Sequence, residues 1–221
     1  MNLAMDVQIE AMRFMMKQKQ IKRSLSCALL LLASVLYSES TTRLVAQKQS
    51  PADKPWHELV STEGRFRVLL PDTPSELFVP VPGQVVNGEV RVFIVKSTVA
   101  SFIVLFGDLP ESGTEELKNA FDNGRDRAVN EGKLRLISEK DISTPGVMGR
   151  EYVMDDGAFV IRNRVYYSKG RIYETIFAGP RLNGMSAGLV QYYDGLAGKF
   201  FNSFKIEAAS SHVQRISANN R

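Results

Sequence analysis

The stretch MDDGAFVIRNRVYYSKGRIYE, residues 154–174, carries two turn signals, Asp155-Asp156-Gly157 and Ser168-Lys169-Gly170, set into strand-like sequence. Loops of two or three residues can reverse a strand, but a parallel crossover needs a dozen residues or more. The pattern therefore predicts a three-stranded antiparallel meander. It places the chain in the α+β class and away from dinucleotide-binding α/β folds.

The second turn also sets a register. A three-residue loop over Ser168-Lys169-Gly170 with Gly170 left-handed puts Tyr167 opposite Arg171, and so Arg164 opposite Glu174. A two-residue loop would instead set Thr175 against Arg164 and turn Glu174 to the other face of the sheet.

Helices are predicted on either side of the meander. Ser112-Gly113-Thr114-Glu115 has the spacing of a capping box. Leu117, Ala120, Phe121 and Ala128 then recur on one helical face, and Gly132 supplies a stop. Leu189, Tyr192, Tyr193, Leu196, Phe200 and Phe201 form a second apolar stripe, read as core and not as a cofactor box.

Further strands precede them. Phe66, Val68 and Leu70 alternate with Arg65, Arg67 and Leu69 in a half-buried strand, which ends in a loop at Pro71 and Pro74. Asn87-Gly88 marks a hairpin turn between Val85-Val86 and a strand from Glu89 to Thr98. Phe102 to Phe106 is apolar throughout, as expected of a central strand covered on both faces.

The first 46 residues differ from the rest. Lys17, Lys19, Lys22 and Arg23 precede an uncharged run from Leu25 to Tyr37, whose 13 residues fit the apolar centre of a secretory signal. A bilayer-spanning helix needs roughly 20. Cleavage is expected between Ser38 and Gln47, with Met12, Met15 and Met16 as other starts, and an uncleaved anchor or a disordered tail as the competing readings.

Cys27, the only cysteine, sits at the start of the apolar run and not after it, which argues against lipid attachment. Its removal would leave neither a disulfide nor a thiol nucleophile. Residues 47–55, with Pro51 and Pro55, read as a linker, residues 56–207 as one α+β domain and 208–221 as a polar tail. The localisation expected is exported, periplasmic or extracellular, with no stable transmembrane span after cleavage.

Composition bounds the function classes. Hydrophobic residues at 44% and charged residues at 24% suit a globular domain with its own core. The formal charge of +4 falls to +1 without the six Lys/Arg and three Asp/Glu of residues 1–46. No dense basic run interleaved with aromatics remains, so nucleic acid is not an expected partner.

A resemblance can now be stated. The pattern Trp56-x4-Ser61-x-Glu63-Gly64-Arg65-Phe66-x-Val68-x-Leu70-Pro71-x2-Pro74 resembles the opening of a group of small exported bacterial proteins. Gly149-Arg150-Glu151, Arg162-x-Arg164-x-Tyr166 and Phe200-x2-Ser203-Phe204 are similar to that group's later landmarks. Roughly residues 56 to 205 also resemble the PsbP-like family of photosystem-associated proteins. That resemblance implies an α/β/α sandwich acting as a binding or assembly module. It places none of the metal-binding residues of true photosystem members on this sequence.

The expected function is thus a non-catalytic exported module, with an envelope enzyme of unrecognised type as the alternative. His57, beside Trp56, and His212, in the polar tail, are read as surface residues and not as held imidazole bases. Asp155 and Asp156 are explained by their turn. The spacings of zinc proteases, nucleophile elbows and phosphate loops do not occur. No cofactor or metal is expected. The candidate ligand surface is Arg150, Arg162, Arg164, Tyr166 and Glu174 on neighbouring strands, since clustered arginines grip carboxylates or phosphates through paired N–H donors. The competing reading makes these residues structural ion pairs on one sheet face. The partner would be a protein or a small anionic ligand of the envelope.

Overall fold

Alternation in Phe66-Arg67-Val68-Leu69-Leu70 buries residues 66, 68 and 70 and leaves Arg67 exposed, as a strand with one covered face requires. The computed structural model describes residues 55–80, 89–109 and 112–207. There this strand, β2 (Phe66–Leu70), lies between β1 (His57–Ser61) and β10 (Lys205–Ile206) in a small antiparallel sheet.

The larger sheet holds β3 (Ser75–Pro80), β4 (Glu89–Lys96), β5 (Ser101–Asp108), β6 (Arg135–Asp141), β7 (Met148–Asp155), β8 (Phe159–Ser168) and β9 (Arg171–Pro180). Their order is β3-β4-β5-β9-β8-β7-β6, antiparallel throughout. Two helices complete the described fold, α1 (Thr114–Asn130) and α2 (Ala187–Ser203). Neither is long and apolar enough to cross a membrane.

The core forms two layers, one on each face of the large sheet. Phe102, Val104 and Phe106 of β5 meet Phe66, Val68, Leu70 and the α2 residues Leu196, Ala197, Phe200 and Phe201. Ile103 and Leu105 turn the other way, into a layer with Phe121 and Ala128 of α1. The all-apolar run 102–106 is therefore covered on both faces, and the architecture is α+β with a helix on each side of an antiparallel sheet.

The motif residues explain themselves as packing. Trp56 sets its ring edge-on to Phe102 at 5.5 Å. Ser61 Oγ accepts the Gly64 N–H at 2.9 Å, closing the turn from β1 into β2. A Cβ on Gly64 would stand 2.5 Å from Cε1 of Phe66, so no larger residue fits beside that ring. At the far end of the chain Ser203 Oγ accepts the Leu69 N–H at 2.9 Å and donates to the Phe200 carbonyl at 2.7 Å, fixing the end of α2 to β2.

Several sequence expectations need correction. The segment after Pro74 is not a loop but edge strand β3, and the meander gains a fourth strand, β6. Both lie at sheet edges and are exposed at nearly every position, so neither carries the alternation that reveals a half-buried strand. Ser75–Pro80 pairs with β4, while Val85-Val86 and Asn87-Gly88 lie outside the described residues. The N-cap of α1 is Gly113, one residue after the expected Ser112, and its N–H donates to Glu116 Oε2 at 3.4 Å. Gly132 follows Glu131, the C-cap of α1, in agreement with the expected stop. The segment of residues 1–46, the linker up to Lys54, and the tail 208–221 with His212 also lie outside the described residues.

The register expectation fails. Ser168 pairs with Arg171, Val165 with Glu174 and Arg164 with Thr175. The loop has two residues, and both are left-handed: Lys169 at φ 48° and Gly170 at φ 73°. Two consecutive left-handed residues make the tight turn whose twist matches that of the flanking strands. Lys169 shares the left-handed conformation with Gly170, and Glu174 consequently lies on the opposite face from Arg164.

Candidate functional site

The five predicted site residues are not one surface. Arg162, Arg164 and Tyr166 alternate along β8 toward α2. Arg150 on β7 and Glu174 on β9 belong to the α1 face.

On the α2 face each group is engaged by the fold. Arg162 Nη2 donates to Asp194 Oδ1 of α2 at 2.5 Å. Arg164 Nε donates to Glu151 Oε2 at 2.5 Å, directly across from it on β7, and its guanidinium lies 4.6 Å above the Phe201 ring. The Tyr166 ring stacks on Phe204 with centroids 5.5 Å apart, and burial pushes its hydroxyl pKa up. The partner of Arg164 is thus Glu151 and not Glu174. Glu151 was within reach of sequence reading, since it belongs to the Gly149-Arg150-Glu151 landmark.

The α1 face holds a different arrangement. Arg150 Nη1 donates to Asp122 Oδ1 of α1 at 2.5 Å and to Glu139 Oε1 of β6 at 2.7 Å. Arg125 reaches the same two carboxylates, at 3.2 and 2.7 Å. This four-residue network ties α1 to the outer strands of the sheet.

Beside the network lies a cavity of about 340 Å³, between the first turns of α1 and the connection from β6 to β7. Thr114, Lys118, Asp141, Ser143, Thr144 and Arg150 contribute its polar lining. Ser143 fixes the wall: its Oγ accepts the Gly149 N–H at 3.0 Å, and its own N–H donates to Asp141 Oδ1 at 2.7 Å. Hydrogen bonding from the backbone and side chain of Ser143 holds the Asp141 carboxyl below the ordinary carboxylate range. Gly149 packs tightly, because a Cβ would come within 3.1 Å of the Tyr166 ring and 3.0 Å of Ile142 Cγ1.

Asp155 and Asp156 do serve their turn. Asp155 Oδ1 accepts the Gly157 N–H at 2.7 Å, and Asp156 Oδ1 accepts from Ala158 and Phe159 at 2.9 and 2.7 Å. Asp155 is buried and also accepts from Arg135 and Arg181, which lowers its pKa. His57 is exposed at the start of β1.

No family model matches the chain, and no curated protein matches it. Among solved structures it is similar to the solution structure of cyanobacterial PsbP (CyanoP) from Synechocystis sp. PCC 6803. That match has 15% identity and a TM-score of 0.48 and covers 75% of this chain and 98% of that one. It is also similar to PA94 from Pseudomonas aeruginosa, a protein of unknown function described as a putative regulator. There the identity is 11% and the TM-score 0.34, over 62% of this chain and 92% of that one.

Proposed function

We propose that the chain is an exported, non-catalytic binding or assembly module, and that the cavity beside Arg150 receives an anionic group, either of a small ligand or of a protein partner. The cavity carries this reading. Its volume of about 340 Å³ falls within the range of small-molecule sites, and Lys118, Arg150 and the hydroxyl side chains of Thr114, Ser143 and Thr144 line it. Among the described residues Asp141 is the acidic group that lines it, and His57 does not.

Arg162 and Arg164 supply the second candidate surface, on the other face of the sheet. Both are already neutralised by Asp194 and Glu151, so a ligand there must displace an internal carboxylate. Arg150 is also paired, but Lys118 brings a second cation, whose side chain is 52% exposed and whose neighbour Glu115 stands 3.8 Å away.

Calorimetric titration of the mature domain with phosphate and with short dicarboxylates tests the site. Lys118→Gln with Arg150→Gln is expected to weaken binding at least about tenfold, the loss of roughly one charge-assisted hydrogen bond, while Arg162→Gln leaves it intact. The reverse pattern would move the site to the α2 face. Retained binding after substitution of all three residues would remove the arginines from consideration.

Export rests on the basic cluster and apolar run of residues 17–37. N-terminal sequencing of the mature protein is expected to find a start between Glu39 and Lys48. Recovery of an intact soluble cytoplasmic protein beginning at Met1 would reject it.

A further inference from the structure

Among the described residues, three buried side-chain atoms lack any hydrogen-bond partner: Asn163 Oδ1, Glu174 Oε2 and Thr175 Oγ1. All three lie on adjacent strands β8 and β9, at the centre of the large sheet. Asn163 and Glu174 share the α1 face, and Asn163 Nδ2 donates to Glu174 Oε1 at 3.1 Å. Buried polar groups are almost always paired, so such a concentration of orphans calls for a physical cause.

Among the described residues, the surroundings of Glu174 supply no counter-charge. Leu105 of β5 and Val165 of β8 stand directly opposite it, and Ile172 and Ile176 flank it along β9. The residues that α1 buries against this face are Leu117, Phe121, Gly124 and Ala128. The titratable group of β7 in the same layer is Tyr152, which pairs with Asn163 across the strands and whose hydroxyl donates to the Phe121 carbonyl at 3.2 Å. Arg150, further along β7, is occupied by Asp122 and Glu139. The two orphans of the α1 face, a carboxyl oxygen and an amide oxygen, are both acceptors, and what the pair lacks is a hydrogen to donate. A proton on Glu174 converts one acceptor into a donor and removes the uncompensated charge at once.

We propose that Glu174 is a proton-dependent latch: it is held neutral in the folded domain, and loss of its proton loosens the α1-facing layer of the core. Burial pushes its pKa from the ordinary 4.5 up to about 7, only partly opposed by the Asn163 hydrogen bond. The folded state then binds more protons than the unfolded state between those two values, so stability falls as pH rises through that window and levels off above it. Asp155 and Asp141, held below the ordinary carboxylate range, act with the opposite sign and in more acidic solution. The latch thus makes the domain firmest in mildly acidic surroundings.

Denaturant unfolding of the wild-type protein and of Glu174→Gln, from pH 5 to pH 8, tests the latch. The ratio of the two folding equilibrium constants is expected to change on the order of 50–100-fold across that range, in favour of the glutamine variant at the alkaline end. Infrared spectra of the folded wild type provide a second readout that does not depend on the variant folding. A buried protonated carboxyl band is expected at pH 5.5, disappearing with a midpoint near neutrality. Parallel pH profiles for the two proteins, or an ionised Glu174 at pH 5.5, would overturn the proposal.

Discussion

Replacing Phe66 by alanine is expected to cost about 3–5 kcal/mol of folding stability. The ring is fully buried and meets Phe93, Phe106, Tyr173 and Phe204 at centroid distances of 6.0, 5.8, 6.3 and 5.6 Å. Those neighbours come from the large sheet and from the residue that caps α2, so a single side chain joins both sheets to the end of a helix. The space cannot close easily, because each neighbour is itself held in a paired strand or by the Ser203 clamp on β2. Urea denaturation measures the loss, with Trp56 as the single tryptophan reporter. Val60→Ala on the exposed side of β1 is the control and should stay within about 0.5 kcal/mol. An unchanged midpoint for Phe66→Ala would mean that β2 is not anchored through this ring.

The signals that reached the sequence level were those that report burial. Phe66, Val68 and Leu70 announced β2 by alternation, residues 102–106 announced a doubly covered strand, and Phe200 and Phe201 announced the packed face of α2. Strands β3 and β6 gave no such signal, because an edge strand is held by backbone pairing on one side and leaves its side chains in water. The candidate site was legible in its residue types and not in its geometry. Its register hung on whether Lys169 accepts a left-handed backbone, a choice worth on the order of 1–2 kcal/mol that no neighbouring residue reveals. That one position decides whether Glu174 salt-bridges Arg164 or enters the core. The cavity beside Arg150 was also out of reach, since Lys118 and Ser143 are brought together by the seating of α1 on the sheet.

Phe121→Ala tests that seating, and a cost of about 3–5 kcal/mol is expected there too. Phe121 is 4% exposed and is the largest apolar side chain that α1 buries. The helix is held at its rim by ion pairs of Arg150 and Arg125 with Asp122 and Glu139, but partly exposed pairs contribute only about 0.2–1 kcal/mol each and weaken with salt. The apolar anchor should therefore dominate. Asp122→Ala is expected to cost less than Phe121→Ala, and wild-type stability should change little between low and high ionic strength. Hydrogen exchange separates local from global loss: if α1 lifts by itself, its amides lose protection while those of β5 and β9 keep theirs. Lifting α1 would also admit water to the layer that contains Glu174 and lower the penalty on its charge. The pH dependence of Phe121→Ala should accordingly flatten toward that of Glu174→Gln. A full wild-type pH slope retained in Phe121→Ala would mean that the strands themselves, and not the helix, keep water from Glu174.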